Sequence, residues 1–142
     1  MLVIHPIIQI LALLLILYVF FLGLQRFRFL HLHHKTVFHW RQHVALGEIA
    51  LGVLLAGMVG GIVMVYISWH GLFITGIHGK VALVMAPFII FGLVSGLYMN
   101  HTKRKRRILP FVHGLNNLVA LIMAIGQIIS GVWVYRAFVL GG

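Results

Sequence analysis

The chain has 142 residues, 62% of them apolar, with eleven lysines and arginines against one acidic side chain and a formal net charge of +10. Such a composition excludes a water-soluble globule with a charged exterior and puts the chain in a bilayer. The positive charge is concentrated in two short stretches, a pattern that orients membrane helices, so no nucleic acid partner is expected.

In chain order, the first element is an apolar run over residues 4–24. It has neither a basic leader nor an A-x-A cleavage signal, so it is expected to be a retained span. A basic, His-rich stretch from Gln25 to Gln42 follows, then a second run over 43–67, the turn "SWHGLFITG" and a third run over 78–99. The stretch "NHTKRKRRILP" leads into the last run, 111–139. A hydrocarbon core takes about 20 helical residues, so each run crosses it once. The expected architecture is all-α: a membrane four-helix up-down bundle forming a single domain over residues 1–142, with no stretch left for a soluble domain. Arg26, Arg28, Lys35 and Arg41 lie in the first connection and Lys103 to Arg107 in the third, while Lys80 and Arg136 fall at the opposite face. The positive-inside rule then puts the N and C termini outside and the basic loops in the cytoplasm, against anionic membrane lipid.

Absence of cysteine excludes disulfides, thiolate-held clusters and C-x-x-C-H haem attachment, so any redox centre must use other ligands. Ten histidines are available. His31, His33, His34, His39 and His101 lie in or beside the basic loops and read as interfacial residues. The "HLHHK" cluster offers imidazoles to a transition metal without a carboxylate or thiolate. His5, His43, His78 and His113 differ, because each opens its own span. Alternating helix direction puts His5 and His78 near the outer face and His43 and His113 near the inner one, on diagonally opposed helices. Two imidazoles facing each other across a bundle are what low-spin haem iron requires.

A flat macrocycle beside an axial ligand needs small residues one and two turns along the same face. After His43 these are Gly47 and Ala50; after His78, Ala82 and Ala86; after His113, Asn117, Ala120 and Ala124; after His5, Gln9 and Ala12. Met85 holds the seventh place after His78, where the other helices have alanine. His39, His70 and His101 remain rival ligands. Arg41 and Arg104, with the rest of the Lys103 to Arg107 run, are the inner candidates to pair haem propionates, and Lys80 or Arg136 the outer ones.

The quartet His5-Pro6, His43-x-x-x-Gly47, His78-Gly79 and His113-Gly114, spread over the whole chain, resembles the four-helix core of cytochrome b561-type proteins, in particular a short bacterial branch. The resemblance implies two haem b groups, one held by His5 and His78 and the other by His43 and His113, and a bacterial inner (cytoplasmic) membrane. It also implies electron exchange with a quinone or quinol; no ascorbate motif is present. No span carries two histidines about thirteen residues apart, which argues against the bc-complex and ferric-reductase patterns.

Glu48 lies five residues beyond His43, about 7 to 8 Å deeper and roughly 140° around the helix. A carboxyl in hydrocarbon is costly to ionise, and Asn116, Asn117 or Gln127 are expected hydrogen-bond partners. Its sharper role is to accept or deliver a proton during quinol chemistry. Asn116, Asn117 and Gln127 are otherwise expected to bond between helices, Pro87 to kink the third span, and Trp40, Tyr66, Trp69, Trp133 and Tyr135 to form an interfacial belt. The function expected is transmembrane electron transfer linking a quinone pool to a separate redox protein, either a periplasmic cytochrome or an oxidoreductase subunit. The alternatives are a haem-bearing membrane anchor without its own turnover and a metal-ion transporter.

Overall fold

The computed structural model describes residues 2–102 and 104–141. The described residues form four α-helices: α1 (Ile4–His31), α2 (Trp40–Trp69), α3 (Ile77–Thr102) and α4 (Ile108–Val139). All four are long and apolar enough to cross a membrane, as in a multi-pass membrane protein.

Each helix extends past the apolar run that announced it. Residues 25–31, expected as loop, continue α1, because "QRFRFLH" contains neither glycine nor proline and its basic residues favour a helix C-terminus. The irregular part of the first connection shrinks accordingly, and α2 is already helical at Trp40. That connection is tied back by Thr36 Oγ1, which donates to the Gln25 carbonyl at 2.8 Å. α2 ends where His70 takes a left-handed conformation, φ 53°, and donates its N–H to the Tyr66 carbonyl. α3 runs through Pro87 as one helix. α4 starts at Ile108, earlier than the apolar run, and keeps Pro110 in its first turn, where no intrahelical donor is needed. Lys103, the first of the basic run, lies outside the described residues.

α1 packs on α2 and α4, and α3 packs on the same two; α1 and α3 do not pack on each other, nor do α2 and α4. The diagonals of the bundle are therefore α1 with α3 and α2 with α4. Between them lies a core of Ala12, Leu13, Leu54, Met85, Ile89, Leu121 and Ala124, mid-length on the helices. Large apolar side chains such as Phe21, Ile67 and Ile129 face outward, the arrangement of a bundle solvated by lipid.

Candidate functional site

Burial sorts the histidines. His5, His43, His78 and His113 are half-buried between helices; His31, His33, His34, His39, His70 and His101 are exposed. The structure brings His43 and His113 together across the α2–α4 diagonal, with ring centroids 6.4 Å apart and ring planes at 74°. His5 and His78, at the other end, lie within electrostatic reach of each other.

Hydrogen bonds determine which ring nitrogen is free. His43 Nδ1 lies 3.1 Å from the Val19 carbonyl, which only accepts, so Nδ1 carries the proton. His113 Nδ1 lies 2.8 Å from Ser95 Oγ. The Ser95 hydroxyl donates its hydrogen to the Phe91 carbonyl at 2.6 Å, leaving its oxygen to accept from the imidazole. Consistently, Asn117 Nδ2 donates to His113 Nε2 at 3.1 Å, which requires a lone pair there. His78 Nδ1 repeats the device, donating to Ser130 Oγ at 3.0 Å while that hydroxyl faces the Gly126 and Gln127 carbonyls. Three rings thus have a committed Nδ1–H and an Nε2 lone pair, the tautomer a metal ligand needs.

Each ring also rests on a glycine of its hairpin partner. A Cβ at Gly61 would lie 2.7 Å from His5 Cε1, one at Gly23 3.0 Å from His43 Cε1, one at Gly131 3.2 Å from His78 Cε1 and one at Gly96 3.4 Å from His113 Cε1. The first hairpin, α1 and α2, seats its two histidines reciprocally; α3 and α4 do the same. In every helix this glycine follows the histidine by eighteen residues, which is five turns and therefore the same face. That spacing is visible in the sequence but had no meaning until the packing showed what the glycines touch. Eighteen residues rise about 27 Å, which sets the separation of the two tiers along the helices.

The spacing of the inner pair would suit two imidazoles sharing one metal ion. Two metal–imidazole bonds of about 2.0–2.1 Å in line, with ring centres roughly 1.1 Å beyond each nitrogen, put the centroids about 6.3 Å apart. Asn117 Nδ2 holds the place at His113 Nε2 that a metal would take, and its own Oδ1 is buried without a partner. At the other end Gln9 Nε2, one turn after His5, is likewise buried and unpartnered. Ala50 and Ala120 are buried, while Gly47 and Ala82 are half-buried.

Of the three amides expected to bond between helices, two do so and one does not. Asn116 Nδ2 donates to the Phe88 carbonyl and Gln127 Nε2 to the His78 carbonyl, both between helices. Asn117 instead bonds within α4, to the His113 carbonyl. All three amides are committed elsewhere, and Glu48 has no hydrogen bond or ion pair among the described residues. It is half-buried on α2, about 160° by helical rotation from the fully buried Ala50. Arg41, Lys80 and Arg104 are exposed. Arg41 lies over the Trp40 ring at 5.8 Å, and in the third connection Arg106 is the residue held, over the Tyr98 ring at 4.6 Å. Among the described residues no group of three or more His, Cys, Asp or Glu side chains is placed to hold a metal ion. Comparisons with protein-family models, curated proteins and solved structures found no match to the chain.

Proposed function

We propose that the chain is a b-type membrane cytochrome, similar to the cytochrome b561 core, that binds two haem b groups and passes electrons across a bacterial inner membrane. His5 and His78 hold the outer haem; His43 and His113 hold the inner one. The observation that carries this reading is the 6.4 Å approach of His43 and His113 with both Nδ1 atoms already engaged. When bound, the porphyrin iron supplies a one-electron couple.

The chain's own residues orient the ligands and keep water out. The Val19 carbonyl and the Ser95 and Ser130 hydroxyls hold ring orientation and raise ligand basicity. The glycine seats let each ring lie against a neighbouring backbone, and the apolar core separates the tiers. Arg41, Arg104 and Lys80 pair the propionates. The basic loops face the cytoplasm and both termini face outside. A quinone pool exchanges electrons at one face and a periplasmic cytochrome or oxidoreductase subunit at the other. Glu48 serves as a proton acceptor on the inner half; unchanged rate and pH dependence in Glu48→Gln would remove it from that role.

The test is a reduced-minus-oxidised spectrum of the purified chain with haem counted per polypeptide. Two b haems are expected, and one after His113→Ala. The ferric inner site should give a strongly anisotropic low-spin EPR signal, because its imidazole planes stand 74° apart. A colourless chain that takes up no haem defeats the reading. Quinol-dependent haem reduction by the isolated chain separates it from a haem-bearing anchor.

A further inference from the structure

The first connection folds back on the bundle at two points. Thr36 and Phe38 are half-buried, whereas their neighbours Lys35, Val37 and His39 are exposed. Thr36 is tied to the Gln25 carbonyl of α1. Two residues on, the Phe38 ring lies against the His43 ring, with centroids 5.4 Å apart and planes at 57°. Over the same phenyl ring stands the Arg26 guanidinium, its Cζ 5.3 Å from the centroid. Arg26, Phe38 and His43 therefore form a continuous chain of contacts from the exposed end of α1 to the inner histidine pair.

Each link has a physical cause. A tilted pair of rings at this separation is a favourable aromatic contact, and the negative face of a phenyl group attracts a guanidinium. The Val19 carbonyl already takes the His43 Nδ1 proton, so Phe38 has no part in the tautomer. What the phenyl ring adds is cover at the end of α2 that meets water. The one acidic side chain, Glu48, pairs with no cation among the described residues, which leaves the Arg26 charge uncancelled. Its field reaches His43 past an apolar ring, where screening is weaker than through water.

We infer that Phe38 and Arg26 are positioning residues of the inner site: Phe38 caps His43 against water and loss of the ligand, and Arg26 supplies a positive charge that favours the reduced inner haem. The inference rests on the haem reading above. A ferrous site carries one positive charge less than a ferric one, so a nearby cation raises the potential of the couple. Arg41 and Arg104 were assigned to the propionates; Arg26 acts from the side of the axial ligand. In the sequence Arg26 was one of several loop cations and Phe38 had no role.

The test uses the full chain in liposomes. In a spectroelectrochemical titration the inner midpoint potential should fall in Arg26→Gln and stay at the wild-type value in Arg26→Lys, with the outer haem unmoved in both. An inner potential unchanged in Arg26→Gln, or lowered equally in Arg26→Lys, overturns the role of Arg26. Phe38→Ala should let the ferrous inner haem bind carbon monoxide, because the uncapped imidazole leaves the iron more readily; exclusion as complete as in the wild type overturns the cap. Because variants can lose haem, the cap is also read on the full chain prepared without it. Diethyl pyrocarbonate, with adducts mapped by mass spectrometry, should modify exposed His39 about tenfold faster than His43. Phe38→Ala should remove most of that protection at His43 and leave His113 as it was. Equal modification of His39 and His43 in the wild type, or protection that survives Phe38→Ala, overturns the cap. A chain that takes up no haem yet loses His43 protection in Phe38→Ala defeats the function proposed above and leaves the cap; a chain with two haems and an unprotected His43 does the reverse.

Discussion

Four imidazoles are held by groups that a sequence reader would pass over. The serines are the informative ones, because a side-chain acceptor can be removed where a main-chain carbonyl cannot. Ser95→Ala strips His113 Nδ1–H of its acceptor, weakening the ligand's donor strength by about 1 kcal/mol, roughly 40 mV for a one-electron couple. The inner midpoint potential should rise by that order and the outer one stay put; Ser130→Ala should do the opposite. A spectroelectrochemical titration showing both haems moving together in either variant would refute this assignment. The glycine seats are graded, and so are the expected consequences. Gly61→Ala brings Cβ to 2.7 Å from His5 Cε1 and should displace the outer ligand, lowering haem from two towards one per chain. Gly96→Ala meets His113 Cε1 at 3.4 Å, an ordinary contact, and should keep both. Equal haem content in the two variants would mean the rings are not seated as described.

The helices owe little to differential hydrophobicity, since each is apolar all round and lipid solvates what the bundle does not cover. Association then rests on close packing and on the few hydrogen bonds that cross between helices. Ile89, fully buried in α3, measures the packing term alone. Ile89→Ala should cost roughly 2 kcal/mol, a cavity penalty without the transfer term seen in water. Ile129→Ala, at 72% exposure on the outward side of α4, should cost nothing measurable. Unfolding in mixed micelles with increasing dodecyl sulfate would compare the two. Helix ends follow a different rule from helix middles: they stop where backbone chemistry stops them, at His70 or after His31, and not where the hydrocarbon does. That is why hydropathy located every span and missed the extensions at residues 25–31 and 100–102.

The whole bundle is two reciprocal hairpins. Every glycine seat lies within a hairpin, whereas each facing pair of histidines takes one ring from each. In the function proposed above, iron would therefore clamp together halves that otherwise meet through the α2–α3 and α1–α4 contacts. Chains cut in the second connection, at Phe73, and co-expressed should copurify when haem-loaded. The double change His78→Ala with His113→Ala should abolish that copurification while each half remains in the membrane. Persistent copurification of the ligand-free halves would show that helix packing alone joins them.

The number of spans, the basic faces and the one histidine opening each span could be read from the chain, because each depends on composition within a single segment. The eighteen-residue interval from histidine to glycine was equally present, yet an interval along one helix says nothing about which neighbour it meets. Only the register of helix against helix decided that His43 rests on Gly23 and donates to Val19 and that Ser95 and Ser130 serve as acceptors. Those contacts join residues far apart in the chain, and their chemistry depends on distances of a few ångström that local pattern does not encode.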